Sequence, residues 1–282
     1  MVNFAYLPIE DFADAVTPTN AGPRVLAMLV AYFDASKTQL RRPYVAVAGC
    51  LANLNTWKLF QPEWQSILND EGLPFFHMTD FEAYKNDYKG WTKERHEKCL
   101  IRLGTVMVNR TEFAYGRGVA LDDWEYAKTK NEVLNPWSAF TYCANQCFHS
   151  IAIWANEHNH IGPISYIVES GDGYNGELIK LKDDIESSPT RRMRFRWAGL
   201  HILPKLADAL YPLTPLQAAD VWAFETRKEW ENKYAVGDGE RLHPVRHSIK
   251  FLLQSGAVKH DMGFSTRENL VNLQPYWFTE RE

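Results

Sequence analysis

The chain has 282 residues, 45% of them hydrophobic, with 31 Lys and Arg against 35 Asp and Glu for a formal charge of −4. That length sustains one large domain with its own core, and the acidic balance excludes a global attraction to nucleic acid, so any polyanion site has to be local. No apolar run reaches the roughly 18 residues of a membrane span, the N-terminus lacks the basic start and apolar core of a signal peptide, and Cys50, Cys99, Cys143 and Cys147 show no CxxC spacing, which together point to a cytoplasmic protein with unbridged thiols.

Residues 1–24 hold Pro8, Pro18, Asn20, Gly22 and Pro23 without periodicity and read as an N-terminal arm. An apolar run over residues 25–33 ends at Asp34 and predicts a first strand, with residues 44–51 as its hairpin partner. Leu59, Phe60, Trp64, Ile67 and Leu68 recur at helical spacing in residues 57–69. Thr92 suits the cap of a helix to residue 109 with Cys99, Leu100, Leu103, Val106 and Met107 inward, and a strand follows over 112–121. Asn135 as cap and Pro136 at the first helical position predict a long helix to residue 158, on which Cys143 and Cys147 share an apolar stripe. A strand over 164–169 ends at Glu169 and leads into a Gly-rich turn containing Asp172, then a helix to residue 185 and a strand near 200–203. Thr214 and Pro215 open a helix that carries Asp220, and residues 231–282 read as a helical tail packed on the domain. Helices alternating with strands after an initial hairpin predict a mixed α/β sheet with helices on both faces.

Three acids stand where apolar residues are expected. Asp34 and Glu169 end near-continuous apolar strands, and ligands of open α/β sheets gather outside the carboxyl ends of such strands. Asp220 replaces an apolar residue between Leu216 and Phe224 on one helical face. Converging in a dry site, these carboxylates would repel one another, and a divalent cation resolves that repulsion. Two of them also have plain structural readings, Asp34 as a turn starter and Asp220 as the partner of a core Arg, while Asp172, close behind Glu169, reads as a turn residue or cap. His77, followed by Asp80 and Glu82, suits a proton shuttle or a further ligand and equally a half-buried, satisfied histidine. The pairs His158/His160 and His243/His247 have no third ligand at metal spacing.

The strongest basic feature is residues 191–197, Arg-Arg-Met-Arg-Phe-Arg-Trp. If extended, Arg192, Arg194 and Arg196 point one way and Met193, Phe195 and Trp197 the other, which presents three guanidinium groups to phosphates. Lys37, close behind Asp34, joins them as a phosphate contact. The competing reading pairs these arginines with the acids at 183–186.

Tyr32-Phe33-Asp34-Ala35-Ser36, Phe76-His77-Met78-Thr79-Asp80-Phe81, Ile167-Val168-Glu169 and Leu216-Gln217-Ala218-Ala219-Asp220-Val221-Trp222-Ala223 resemble the landmarks of the domain of unknown function 3800 family, which is similar to the ribonuclease H-like superfamily. The resemblance spans residues 25–230. It implies a ribonuclease H-like mixed sheet and a metal-dependent nuclease. Asp34 matches the first-strand acid, Glu169 the middle-strand acid and Asp220 the late-helix acid, as catalytic residues and as ligands of two Mg2+ or Mn2+ ions, with His77 as a catalytic helper and DNA or RNA as substrate. The family usually reads Asp-Glu-Ser-Gly where this chain has Asp34-Ala35-Ser36-Lys37, which supports the rival: a non-catalytic binding or assembly subunit of a defence or mobile-element complex, working with a protein partner or as a homo-oligomer.

Overall fold

In the computed structural model, which describes residues 28–37, 43–169, 174–203, 213–234, 242–254 and 259–274, the first apolar run forms β1 (Leu29–Lys37). The strand does not end at Asp34, because Ala35, Ser36 and Lys37 pair with Val47, Ala46 and Val45 of the antiparallel β2 (Tyr44–Asn53). Asp34 is therefore a strand residue with side-chain direction set by the pleat. The arm at 1–24 and Asp172 lie outside the described residues.

Asn53 ends β2 and caps α1 (Leu54–Glu71), accepting from the Thr56 N–H, and Gly72 closes that helix in the left-handed conformation at φ 70°. The short α2 (Met78–Glu82) follows, then α3 (Lys93–Arg110) capped by Thr92 as expected, and β3 (Phe113–Ala120). Next come α4 (Leu121–Lys128), α5 (Ala139–Glu157), β4 (Ile164–Glu169), α6 (Asn175–Ser187), α7 (Pro189–Arg194) and β5 (Trp197–Leu203). The chain continues through α8 (Thr214–Tyr234), α9 (His247–Gln254), β6 (Lys259–Ser265) and α10 (Arg267–Val271).

The six strands lie in the order β5-β4-β1-β2-β3-β6. β2 runs antiparallel to β1 and β3, while β4 is parallel to β1 and β5, and β6 is parallel to β3. This is the mixed α/β sheet that the sequence implies. Alternation along the strands separates two cores. Val30, Tyr32, Ala48, Cys50 and Ile167 pack with α1, α2, α3, α8 and α9, whereas Leu29, Ala31, Phe33, Val47 and Val168 pack with α5, α6 and their neighbours. Buried Trp57, Phe60 and Trp64 line the inner side of α1, each worth roughly 2–3 kcal/mol of burial. The four cysteines are free and buried, consistent with small core residues.

Helix α8 lies across β1 and β2. It sits close because β3 offers Gly116 and Gly118: a Cβ at Gly118 would stand 2.2 Å from Trp230, and one at Gly116 would stand 3.2 Å from Thr226. A helix covered this way is buried nearly all round, so polar residues on it need partners inside the protein.

Three local expectations change. The long helix opens at Ala139, with Ser138 and Thr141 forming a reciprocal capping box, while residues 132–134 form a 3-10 turn that draws Asn135 and Pro136 out of the helix start. The segment holding Arg192 and Arg194 is helix, not ribbon: Ser188 accepts from the Arg191 N–H and Pro189 occupies the first turn of α7. The segment after residue 230 is not a purely helical tail, since α8 continues to Tyr234 and β6 adds an edge strand beside β3. Among the described residues no helix is long and apolar enough to cross a membrane.

Candidate functional site

The parallel register of β1 and β4 pairs Tyr32 with Ile167 and Phe33 with Val168. One step further along both strands stand Asp34 and Glu169. Tyr32 and Ile167 belong to the core under α8, and Phe33 and Val168 to the opposite one, so alternation turns both acids toward the α8 face. Adjacent strands are about 4.8 Å apart, which makes Asp34 and Glu169 side-by-side neighbours. Asp34 Oδ1 accepts the Ala35 N–H at 2.7 Å.

Asp220 reaches the same face from α8. It is 7% exposed, and its Oδ2 accepts the Met78 N–H at 2.6 Å. One turn earlier Gln217 Oε1 accepts from the Phe76 N–H at 2.8 Å and from Trp64 Nε1 at 3.0 Å, and the Tyr88 hydroxyl accepts the His77 N–H at 3.2 Å. Three successive backbone N–H groups, at 76, 77 and 78, are thus held by side chains. The strand-like entry to α2 is pinned on α8, and His77 is presented at a defined place. Gln217 and Tyr88 were missed from sequence, although a second polar residue on the buried stripe of α8, three positions before Asp220, is a legible signal.

His77 Nδ1 lies 3.0 Å from Asp80 Oδ2. Burial works to lower the His77 pKa, but Asp220, Asp80 and Glu169 together outweigh it and raise the pKa above its ordinary value. Asp80 shows the reverse balance: burial opposes ionisation, yet hydrogen bonds from His77 and Asn86 hold its pKa below normal. Asp220 is raised, first by burial and also by Asp80, while His77, the Met78 N–H and Arg227 counteract part of the cost. Arg227, also on α8, donates from Nε to Ser36 Oγ at 2.7 Å and pairs with Glu231. Ser36 is two residues beyond Asp34 and on its face, so a buried guanidinium borders the acids.

Asp34, Glu169, Asp220 and His77 therefore gather on one face, at the carboxyl end of β4 and three residues before that of β1. Among the described residues, however, no group of three or more His, Cys, Asp or Glu side chains stands close enough to hold a metal ion. The donor chemistry suits a hard divalent cation, while the spacing does not form a ready ligand shell.

The basic residues separate. Arg191 is buried, paired with Asp184 and placed over the Trp137 ring. Arg192 is exposed and Arg194 half-buried near the end of α7. Arg196 adopts φ 49°, and its Nε and Nη2 donate to Asn156 Oδ1 at 3.1 and 2.5 Å. These arginines do not form a single row, because one helical turn replaces the pleat that would have aligned them. The side chain of Lys37, the last residue of β1, lies outside the described set. On the opposite face of the sheet, Trp124, Trp137, Phe140 and Tyr174 line a cleft of about 810 Å3 that contains none of the four site residues.

No protein-family model matches the chain, and no curated protein matches it. Among solved structures it is similar to Bst-RNase HIII in complex with Mn2+, over 88% of this chain and 67% of that one, at 13% identity and a TM-score of 0.36.

Proposed function

We propose that the face holding Asp34, Glu169, Asp220 and His77 is the active site of a metal-dependent nuclease of the domain of unknown function 3800 type, hydrolysing phosphodiester bonds in DNA or RNA. The observation that carries this reading is the β1–β4 register, which sets Asp34 beside Glu169 on the face that α8 supplies with Asp220. Mg2+ or Mn2+ would supply an activated water and charge neutralisation at the phosphate, with Asp34, Glu169 and Asp220 as the residues that would hold it. Their present spacing means that the shell would form only as the cation binds. His77, whose pKa its three acidic neighbours raise, would hold a proton for the departing oxygen. Arg192 and Arg194 would contact phosphates from the end of α7, with Lys37 beyond Asp34. Arg196 would contribute less, since Asn156 already engages its guanidinium.

A second reading is a non-catalytic binding or assembly subunit. It is favoured by the Asp220 carboxylate serving as the anchor for Met78 and by the lack of a three-ligand cluster among the described residues.

The deciding experiment incubates the purified chain with end-labelled single-stranded DNA, single-stranded RNA and an RNA–DNA hybrid in Mn2+. Cleavage by the wild type that falls at least about a hundredfold in Asp34→Asn and Glu169→Gln supports the nuclease. Absence of cleavage on every substrate, with binding retained, assigns the chain to the second reading.

A further inference from the structure

Two contacts fasten α2 to α8. The first is the Met78 N–H on Asp220. The second lies at the other end of α2, where Glu82 meets Arg246 from the segment preceding α9. Arg246 Nη1 and Nη2 donate to Glu82 Oε1 and Oε2 at 2.8 and 2.9 Å, and its Nε and Nη2 donate to Glu225 Oε2 and Oε1 at 3.0 and 3.1 Å. One guanidinium therefore grips two carboxylates, each through both oxygens. Glu225 on α8 is fully buried, and Glu82 and Arg246 are about one-third exposed.

Spacing makes the clamp relevant to the site. Glu82 follows His77 by five residues, and Glu225 follows Asp220 by five. The clamp and the Met78–Asp220 bond thus fix both ends of one five-residue helix against one stretch of α8. Without Arg246 the two carboxylates would face each other across the seam, one of them inside the core, where an unpaired charge is costly. The apolar side of α2 has its own hold, since Phe81 is buried and stacks on His96 at 3.6 Å. A loosened α2 would accordingly pivot on Phe81 and leave the bonds at residues 76, 77 and 78 as the remaining hold on His77.

We infer that Arg246 is a positioning residue: by clamping Glu82 to Glu225 it holds α2 on α8 and so keeps His77 beside Asp220. The segment after α8 thereby completes the site. The inference depends on the nuclease reading only for what His77 does, not for where it is held.

Hydrogen exchange on the full chain tests it, comparing wild type with Glu82→Gln and Arg246→Lys. Arg246→Lys keeps the charge and loses the fork, and Glu82→Gln avoids stranding a buried charge. Glu71→Gln serves as control, because Glu71 joins Arg95 and Arg102 in an ion-pair group between α1 and α3 that does not touch α2. The Phe81, Ala83 and Lys85 amides, which bond within α2 and its exit turn, should exchange at least about tenfold faster in both clamp variants while the β1–β2 amides keep their rate. Glu71→Gln should leave the α2 amides unchanged. If cleavage is observed, kcat should fall in the clamp variants with KM unchanged. Wild-type exchange rates for α2 in both clamp variants, or equal acceleration in Glu71→Gln, would overturn the inference. A wild type that cleaves nothing would remove the nuclease reading and leave the exchange result standing.

Discussion

Met78 donates its backbone N–H to Asp220 Oδ2 at 2.6 Å, across 142 positions of sequence. The acid that the sequence marks as a metal ligand is therefore also the residue that seats the start of α2. That anchoring role sets how Asp220 has to behave when its charge is removed.

Asp220→Asn keeps an oxygen for the Met78 N–H and eliminates a buried negative charge. The carboxyl of Asp220 is raised in the folded protein, so its ionisation costs stability. The cost is absent below the unfolded carboxyl value of about 3.9 and accumulates as pH rises from there toward the folded value. Urea melts should coincide in acid and diverge toward neutrality, with the variant more stable by about 1 kcal/mol at pH 7. A variant less stable than wild type at pH 7 would show that the charge itself anchors α2.

His77 has the opposite sign. Its folded pKa is raised, so the stability it contributes is fully present below about pH 6.5 and disappears as pH rises through the higher folded value. The stability gap between wild type and His77→Gln should be widest in mild acid and close in alkali. Imidazole titration by NMR should give a midpoint above that of free histidine, and Asp80→Asn should bring it down. A midpoint at or below the free value in wild type would mean that burial wins over the acids.

Much of this arrangement is legible in the amino-acid sequence. The hairpin, the strand ending at Glu169 and the helix opened by Thr214 follow from apolar runs and capping residues, and the two strand acids and Asp220 follow from polarity at apolar positions. What is not legible has physical causes. Pairing with β2 carries β1 past Asp34, a non-local effect invisible in a local apolar run. β6, Lys-His-Asp-Met-Gly-Phe-Ser, lacks β-branched residues and alternation and is a strand because β3 has an open edge. The arginine run has strand-like alternation, yet the cap Ser188 and Pro189 decide for helix. The position of Gln217 on the stripe of Asp220 is legible, but the residues that Gln217 and Tyr88 grip, 76 and 77, are set by tertiary packing.

The metal reading has a thermal signature. Cation binding to the folded state alone adds about 2.7 kcal/mol at a hundredfold excess over Kd. The melting temperature should rise with Mn2+ in wild type and in Asp80→Asn, and should not rise in Asp34→Asn or Glu169→Gln. A full rise in both of those last variants would remove the paired acids from any metal site.

The basic run divides into residues of different use. Arg191 is buried, paired with Asp184 and placed over Trp137, so Arg191→Gln should lower the melting temperature, because the substitution strands polar groups in a covered place. Arg192 and Arg194 near the end of α7 carry the phosphate-binding role if the run has one. Replacing both by Gln should leave the stability within about 0.5 kcal/mol of wild type, since Arg192 is exposed and Arg194 only half-buried. The same double variant should reduce the magnitude of the log affinity against log salt slope by about 1 to 2 units, one per neutralised phosphate. The loss should be uniform across sequences, since backbone contacts position a nucleic acid without reading its bases. A slope unchanged in the double variant, together with binding retained, would move the nucleic-acid surface away from α7 and leave Lys37, the last residue of β1, as the basic residue to test next.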